Sequence, residues 1–259
     1  MHRPDRYYSD HPIDGSEVIL EGPEAHHLAH VMRAKTGKRV VLFDGSGAEY
    51  LAEVKTVARG TVRLAILSRH EVDRELPIAI TLGVALPKGE RQKWLVEKAV
   101  ELGVQRMIPL VTARSVAEPT AQAVDRLRRH VIEASKQCGR NRLMEIPHSM
   151  RFAQFVEASG NALLRWIAHP GSASSFVTPL MPEVPQTLMG NPACGAWMAV
   201  GPEGGFTDDE VAAALAAGWK PVDLGPRVLR VETAAVLLVA LLMARQLLLA
   251  SSAGQGQAS

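Results

Sequence analysis

Two short segments combine glycines with charged side chains in patterns suited to chemistry. The first is "VGPEGGFTDDE" at 200–210, preceded by the apolar run "CGAWMAV" (194–200) and followed by the helical pattern "VAAALAAG" (211–218). A glycine turn between a strand and a helix is the usual cradle for a phosphate, because unpaired N–H groups at a helix start attract anions. Here Glu203 stands inside the turn, and Asp208 and Asp209 follow it, so negative charge opposes a phosphate. Thr207 and Glu210 form a T-x-x-E capping box that already satisfies free N–H groups at the helix start. Gly201, Gly204 and Gly205 still permit close approach to the backbone. A backbone-lined pocket without phosphate chemistry suits an adenine, a ribose or a cationic group, and S-adenosylmethionine carries all three. Taken alone, the glycines have a blander reading as a turn.

The second segment is "LGPRVLRVETA" (224–234), which feeds into the most apolar stretch of the chain, "AAVLLVALLMA" (234–244). Two arginines and a glutamate beside a buried helix are a local conflict of the kind found at functional sites. The apolar stretch is too short to cross a bilayer and reads as a buried helix.

The elements that must position these loops follow from periodicity. "EAHHLAHVMR" (24–33) has helical spacing, and "RVVLFDG" (39–45), "EYLAEVKTV" (49–57) and "TVRLAIL" (61–67) read as strands, which fits a small barrel with one helix. The charged stretch 68–76 reads as a linker. From Pro77 strands and helices alternate: strands at 78–86, 104–111, near 163–169, 194–200 and at "WKPVDL", with helices after the first, second and fourth and a last helix after 234. That order predicts a parallel sheet covered on both faces, with ligands bound beyond the carboxyl ends of its strands. The loops "AHP" (168–170), 201–206 and 224–234 should gather there. The domains expected are 1–72, a barrel, and 73–250, an α/β domain, with 251–259 as a flexible tail.

Composition narrows the class. A hydrophobic fraction of 47% over 259 residues supports a sizeable core. The net charge of +2 does not announce nucleic-acid binding, although a local patch fits within it. Cys138 and Cys194 lie far apart with no metal-ligand spacing, which reads as a reducing, cytoplasmic compartment. The N-terminus lacks an apolar leader segment.

The two loop motifs in combination, with "QCGRN" (137–141), the helix "HLAHVMR" followed by "LFDG", and "KAVELGV", closely resemble the RsmE family of the SPOUT class of RNA methyltransferases. The resemblance implies a SPOUT-type α/β knot, a parallel sheet with a deep C-terminal trefoil knot, preceded by a small PUA-like β-barrel that binds RNA. Composition alone would give an ordinary doubly wound sheet, because knots are rare. The resemblance further implies S-adenosylmethionine-dependent methylation of N3 of one uridine, position 1498, in 16S ribosomal RNA. The partners it implies are 16S rRNA in the assembled 30S subunit and a second copy of the chain as a homodimer, with no membrane. The alternatives are another RNA substrate such as tRNA, or a ribosome-binding module without catalysis. One departure is Ala113, where relatives usually carry a glutamate before the arginine, here Arg114.

On this resemblance the cofactor contacts are His169, Val200, Gly201, Glu203, Gly204, Gly205, Leu224, Gly225, Val228, Leu229, Thr233 and Ala234. Loss of the uracil N3 proton places negative charge on the carbonyl oxygens, which a hydrogen-bond donor would stabilise. Arg230, Arg227 and Arg114 are the candidates; for Arg227 a phosphate or dimer contact has equal standing. Glu232 can orient Arg230, take the proton through water, or simply cap the last helix. Arg3, Arg6, Arg126, Arg129, Lys136, Arg140, Arg142 and Arg227 are candidate RNA contacts, and Lys35, Lys38 and Arg39 add charge in the first domain. His26, His27 and His30 lack a completing ligand, so no metal is expected. Cys138 reads as a packed residue of the inner helix stripe, because methylation at a nitrogen needs no covalent adduct.

Overall fold

The computed structural model describes residues 4–115, 118–160, 162–171 and 195–255. The chain forms two compact units, the first comprising Met1–Glu75 with Ile132–Leu143 and the second Leu76–Val131 with Met144–Ser259. The first unit therefore draws on two stretches of the chain rather than one.

In the first unit, strands β1 (Arg6–Tyr8), β2 (Glu17–Glu21), β3 (Arg39–Phe43), β4 (Ala48–Ala58) and β5 (Thr61–Glu71) form a sheet in the order β1-β3-β4-β5-β2. β1 runs parallel to β3, and the other pairs are antiparallel. Alternation along β4 buries Ala48, Tyr50, Ala52 and Val54 in a core shared with Tyr7, Leu28, Val40, Leu42, Val62 and Leu64. β5 continues to Glu71, so the first four residues of the expected linker 68–76 are strand. Its charged side chains lie on an open face, which cross-strand hydrogen bonding tolerates and hydrophobic patterning does not reveal. The expected helix 24–33 is a short α-helix, α1 (Gly22–His26), that widens over His27–Val31, where the Met32 N–H donates to the His27 carbonyl five residues back at 2.9 Å. Arg33 ends it in the left-handed region at φ 49°.

In the second unit, β6 (Ile80–Val84), β7 (Arg106–Val111), β8 (Met150–Arg151), β9 (Leu164–Ala168), β10 (Ala196–Val200) and β11 (Lys220–Val222) form a sheet in the order β11-β9-β10-β6-β7-β8, parallel throughout. The helices are α2 (Arg91–Glu101), the first part of α3 (Ala121–Cys138), whose residues from Ile132 onward belong to the first unit, α4 (Phe152–Ala158), α5 (Asp208–Ala216) and α6 (Val231–Gln255). α3 buries Val124, Leu127, Val131 and Ala134 as its spacing predicts. β8 and α4 have no counterpart in the sequence reading; α4 is too short for a helical period to stand out. Phe152 and Phe155 of α4 anchor a core with Ile167, Phe206, Val211 and Trp219. α6 runs to Gln255, so five residues of the expected tail are helical. Among the described residues no helix is long and apolar enough to cross a membrane.

Adjacency of β11, β9 and β10 brings three strand ends together at one edge. Their exits begin at Asp223, His169 and Gly201, where the sequence placed the three loops.

Candidate active site

The three exits enclose a cavity of about 560 Å³, within the usual range of about 300–1,000 Å³ for small-molecule sites. It is lined by His169, Val200, Gly201, Glu203, Gly204, Gly205, Leu224, Gly225, Val228, Leu229 and Ala234, eleven of the twelve residues expected against the cofactor. Thr233 is the exception: it lies outside the lining and is exposed, because helical rotation after Val231 turns it away while Val231 and Ala234 face inward. Arg227 also lines the cavity.

The first loop is held from two sides. The Thr207 hydroxyl accepts from the Glu210 N–H at 3.3 Å, and Glu210 accepts from the Thr207 N–H at 2.8 Å, completing the predicted capping box. Glu210 also accepts from the Ala113 N–H at 2.8 Å, so the backbone of Ala113 is engaged even though its side chain carries no carboxylate. Arg114 donates to the carbonyls of Gly204 at 2.7 Å and Phe206 at 3.3 Å. Its guanidinium therefore braces the loop from outside the cavity, which changes its expected role from donor to the substrate into support for the loop. Gly205 sits at φ +69°, which L side chains adopt with strain. A Cβ on Gly201 would lie 3.1 Å from the Phe206 ring and 3.2 Å from its backbone nitrogen.

Asp223, which the sequence reading missed, ties the other two exits together. Its Oδ2 accepts from the Gly171 N–H at 3.1 Å and its Oδ1 from the Gly225 N–H at 2.9 Å. An aspartate two residues before a glycine is a recognisable signal for such a side-chain-to-backbone turn.

Arg230 and Glu232 lie at the junction of the third loop with α6. Arg230 is exposed, and its carbonyl accepts from the Ala234 N–H at 2.9 Å. Glu232 is 6% exposed in the first turn of α6, where the helix dipole favours its charge. Its Oε2 lies 3.6 Å from Arg91 Nη1 and has no hydrogen-bond partner. The same Arg91 donates through Nη2 to Glu203 at 3.3 Å. Pairing with Arg91 replaces the expected pairing of Glu232 with Arg230.

The candidate RNA contacts divide. Arg126, Arg129, Arg142 and Arg227 are exposed. Arg6 donates to Glu49 at 2.9 Å and Asn141 at 2.6 Å and lies over the Phe43 ring, while Lys136 donates to Glu24 at 2.8 Å. Arg140 is 4% exposed and donates through Nε to Glu75 at 3.0 Å. These three bind carboxylates inside the first unit, which corrects their reading as RNA contacts; charges this buried require partners. Arg3 and Cys194 lie outside the described residues. The rings of His26 and His30 lie 4.9 Å apart, and no group of three metal-ligating side chains occurs among the described residues. Cys138 is half-buried, with its sulfur 4.0 Å from the Ser135 carbonyl.

The lining fits an adenosyl cofactor. Its anionic groups are Glu203 and Asp223, its walls are glycine backbone and small aliphatics, and the helix start beside it is already capped.

Comparison with known proteins shows the family. A family model described as an RNA methyltransferase domain matches residues 74–243, and one described as an RNA methyltransferase PUA domain matches 20–67. The chain is 32% identical to ribosomal RNA small subunit methyltransferase E of Synechocystis over 84% of its own length and 69% of that protein's. It is also 32% identical to the protein of that name from Mycobacterium bovis, over 88% and 87%. A Legionella pneumophila methyltransferase solved with bound SAM matches with a TM-score of 0.84 and 33% identity, covering 94% of this chain and 98% of that one. Ribosomal RNA small subunit methyltransferase E from Neisseria gonorrhoeae, solved with S-adenosyl methionine, matches with a TM-score of 0.77 and 27% identity, over 92% and 96%. The chain belongs to the ribosomal RNA small subunit methyltransferase E family, with the SPOUT-type α/β-knot fold preceded by a PUA-like domain.

Proposed function

We propose that this chain transfers a methyl group from S-adenosylmethionine to N3 of a uridine in 16S ribosomal RNA. The observation that carries the reading is the glycine-lined, carboxylate-bearing cavity at the ends of β9, β10 and β11. The cofactor would lie against Val200–Gly205, Leu224–Leu229 and Ala234, and when bound it supplies an electrophilic methyl group. Gly201 and Gly205 keep the backbone open to the ligand, and Asp223 and Arg114 fix the loops around it.

Arg230 and Arg227 are the cations exposed on the loop that lines this cavity. A guanidinium keeps its proton, so it cannot act as the base. It stabilises instead the negative charge that builds on a uracil carbonyl oxygen as the N3 proton leaves. Glu232, held by Arg91, is the carboxylate nearest in sequence to Arg230 and serves as the proton's destination through water. Cys138 takes no part, because the deprotonated nitrogen is itself the nucleophile.

Arg126, Arg129 and Arg142, with Lys35 and Arg39 of the first unit, are exposed cations available for RNA phosphates, and the PUA-like domain adds RNA affinity without chemistry. The substrate is the assembled small subunit. The active unit is a homodimer in the cytoplasm, a reading that rests on the family to which the chain belongs. Mass spectrometry of nucleosides from the 16S rRNA of cells lacking this protein tests the proposal. Loss of 3-methyluridine is expected, and an unchanged 3-methyluridine content would refute it.

A further inference from the structure

Arg91 is an unusual residue for its place. It opens α2, whose first turn contains no acidic residue, so its positive charge meets the positive end of the helix dipole. A cation there costs local stability, which points to a role outside the helix. Its guanidinium spans two carboxylates from two different segments. Nη2 meets Glu203, which is half-exposed in the wall of the cavity, at 3.3 Å. Nη1 meets Glu232, whose side chain is 8% exposed, at 3.6 Å. Glu232 Oε2 has no hydrogen-bond partner, and a buried carboxylate in that condition is costly without a nearby cation. The bridge thus links the glycine turn after β10 to the first turn of α6 through a third element.

We propose that Arg91 is a positioning residue for the methyl transfer. It holds Glu232 in place and ties that placement to Glu203, so that the cofactor wall and the buried carboxylate form one unit. A planar guanidinium reaches both carboxylates at once, whereas an ammonium is a single point charge. The inference rests on the reading above that the chain transfers a methyl group and that Glu232 serves that step.

The test measures single-turnover methylation of unmethylated small subunits at saturating S-adenosylmethionine, with cofactor affinity measured separately by calorimetry. The proteins are the wild type, Arg91→Gln, Arg91→Lys, Glu232→Gln and the double variant Arg91→Gln/Glu232→Gln. Arg91→Gln should slow transfer about 10- to 100-fold while cofactor affinity changes less than about threefold, and Arg91→Lys should recover part of the rate. In the Glu232→Gln background, Arg91→Gln should cost less than about threefold, because coupled residues are not additive. Equal losses in both backgrounds would overturn the proposal, as would a loss confined to cofactor affinity. The same cycle followed by chemical denaturation of the cofactor-free protein needs no activity. Non-additivity there, with a wild type that transfers no methyl group, would refute the proposed function and leave the Arg91–Glu232 coupling standing. Additivity there would refute the coupling itself.

Discussion

Gly201→Ala adds one methyl group at the wall of the cavity, and the structure sets its cost. The new Cβ would lie 3.1 Å from the Phe206 ring and 3.2 Å from the Phe206 backbone nitrogen. The first contact is not with a yielding side-chain tip. Phe206 is 4% exposed, packs against Phe152 with ring centroids 4.5 Å apart, and offers its carbonyl to Arg114 at 3.3 Å. The turn must therefore move, and overpacking of this kind costs about 1–3 kcal/mol. The cost falls either on folding or on the cofactor-bound geometry. If it falls on binding, affinity for S-adenosylmethionine drops about 5- to 150-fold, at roughly 1.4 kcal/mol per tenfold. Gly205→Ala is the control for a different cause: its Cβ would meet nothing within 4 Å, and only the φ of +69° resists it. That strain is worth about 1–2 kcal/mol, so Gly205→Ala should weaken binding by no more than Gly201→Ala does. Isothermal calorimetry of both variants, with thermal melts for stability, measures this. Cofactor affinity and melting temperature both unchanged in Gly201→Ala would refute this packing of the turn against Phe206.

Three further outcomes are expected. Arg230→Ala should slow single-turnover transfer by about two to three orders of magnitude, the usual cost of losing one charge-stabilising donor, with little change in cofactor affinity; raising the pH should partly restore the rate, and a pH-independent defect would contradict the assigned role. Cys138→Ala should methylate within a few-fold of wild type in the same assay, since its half-buried thiol packs beside Ser135, and abolished activity in a folded protein would overturn direct transfer. Glu49 is pushed up by burial, but hydrogen bonds from Arg74 and Arg6 outweigh that and hold its carboxyl below the ordinary value of 4.5. A depressed carboxyl gives stability that is full above the unfolded value and is lost as pH falls through the folded one; Glu49→Gln should therefore lose about 1–3 kcal/mol at pH 7 and show less of the acid destabilisation below 4.5, as read by denaturant titration across pH.

The site was legible where local chemistry is written in neighbouring residues. Thr207 and Glu210 announced the capping box, and the strand-to-helix alternation from Pro77 gave the parallel sheet, whose carboxyl edge fixes where ligands bind. Long-range pairing was not legible. Arg91 and Glu232 are distant in sequence, and only the fold brings them to 3.6 Å. Arg6, Lys136 and Arg140 read as RNA contacts because sequence shows their charge but not Glu49, Glu24 and Glu75 beside them. The continuation of β5 to Glu71 hid behind charged side chains, because backbone pairing to β4 sets that strand rather than hydrophobic alternation. Asp223 joins Gly171 to Gly225 across the cavity; its turn onto Gly225 is local, while its bond to Gly171 needs the neighbouring strand β9.

Reconstitution with purified components identifies the reaction. Purified protein is incubated with unmethylated small ribosomal subunits and isotope-labelled S-adenosylmethionine. The 16S rRNA is then digested to nucleosides and fragments, and the labelled product is resolved by mass spectrometry. One labelled methyl group on N3 of a single uridine is the expected result. Label on a ribose oxygen, on another base or on no nucleotide at all would contradict uridine N3 methylation by this protein.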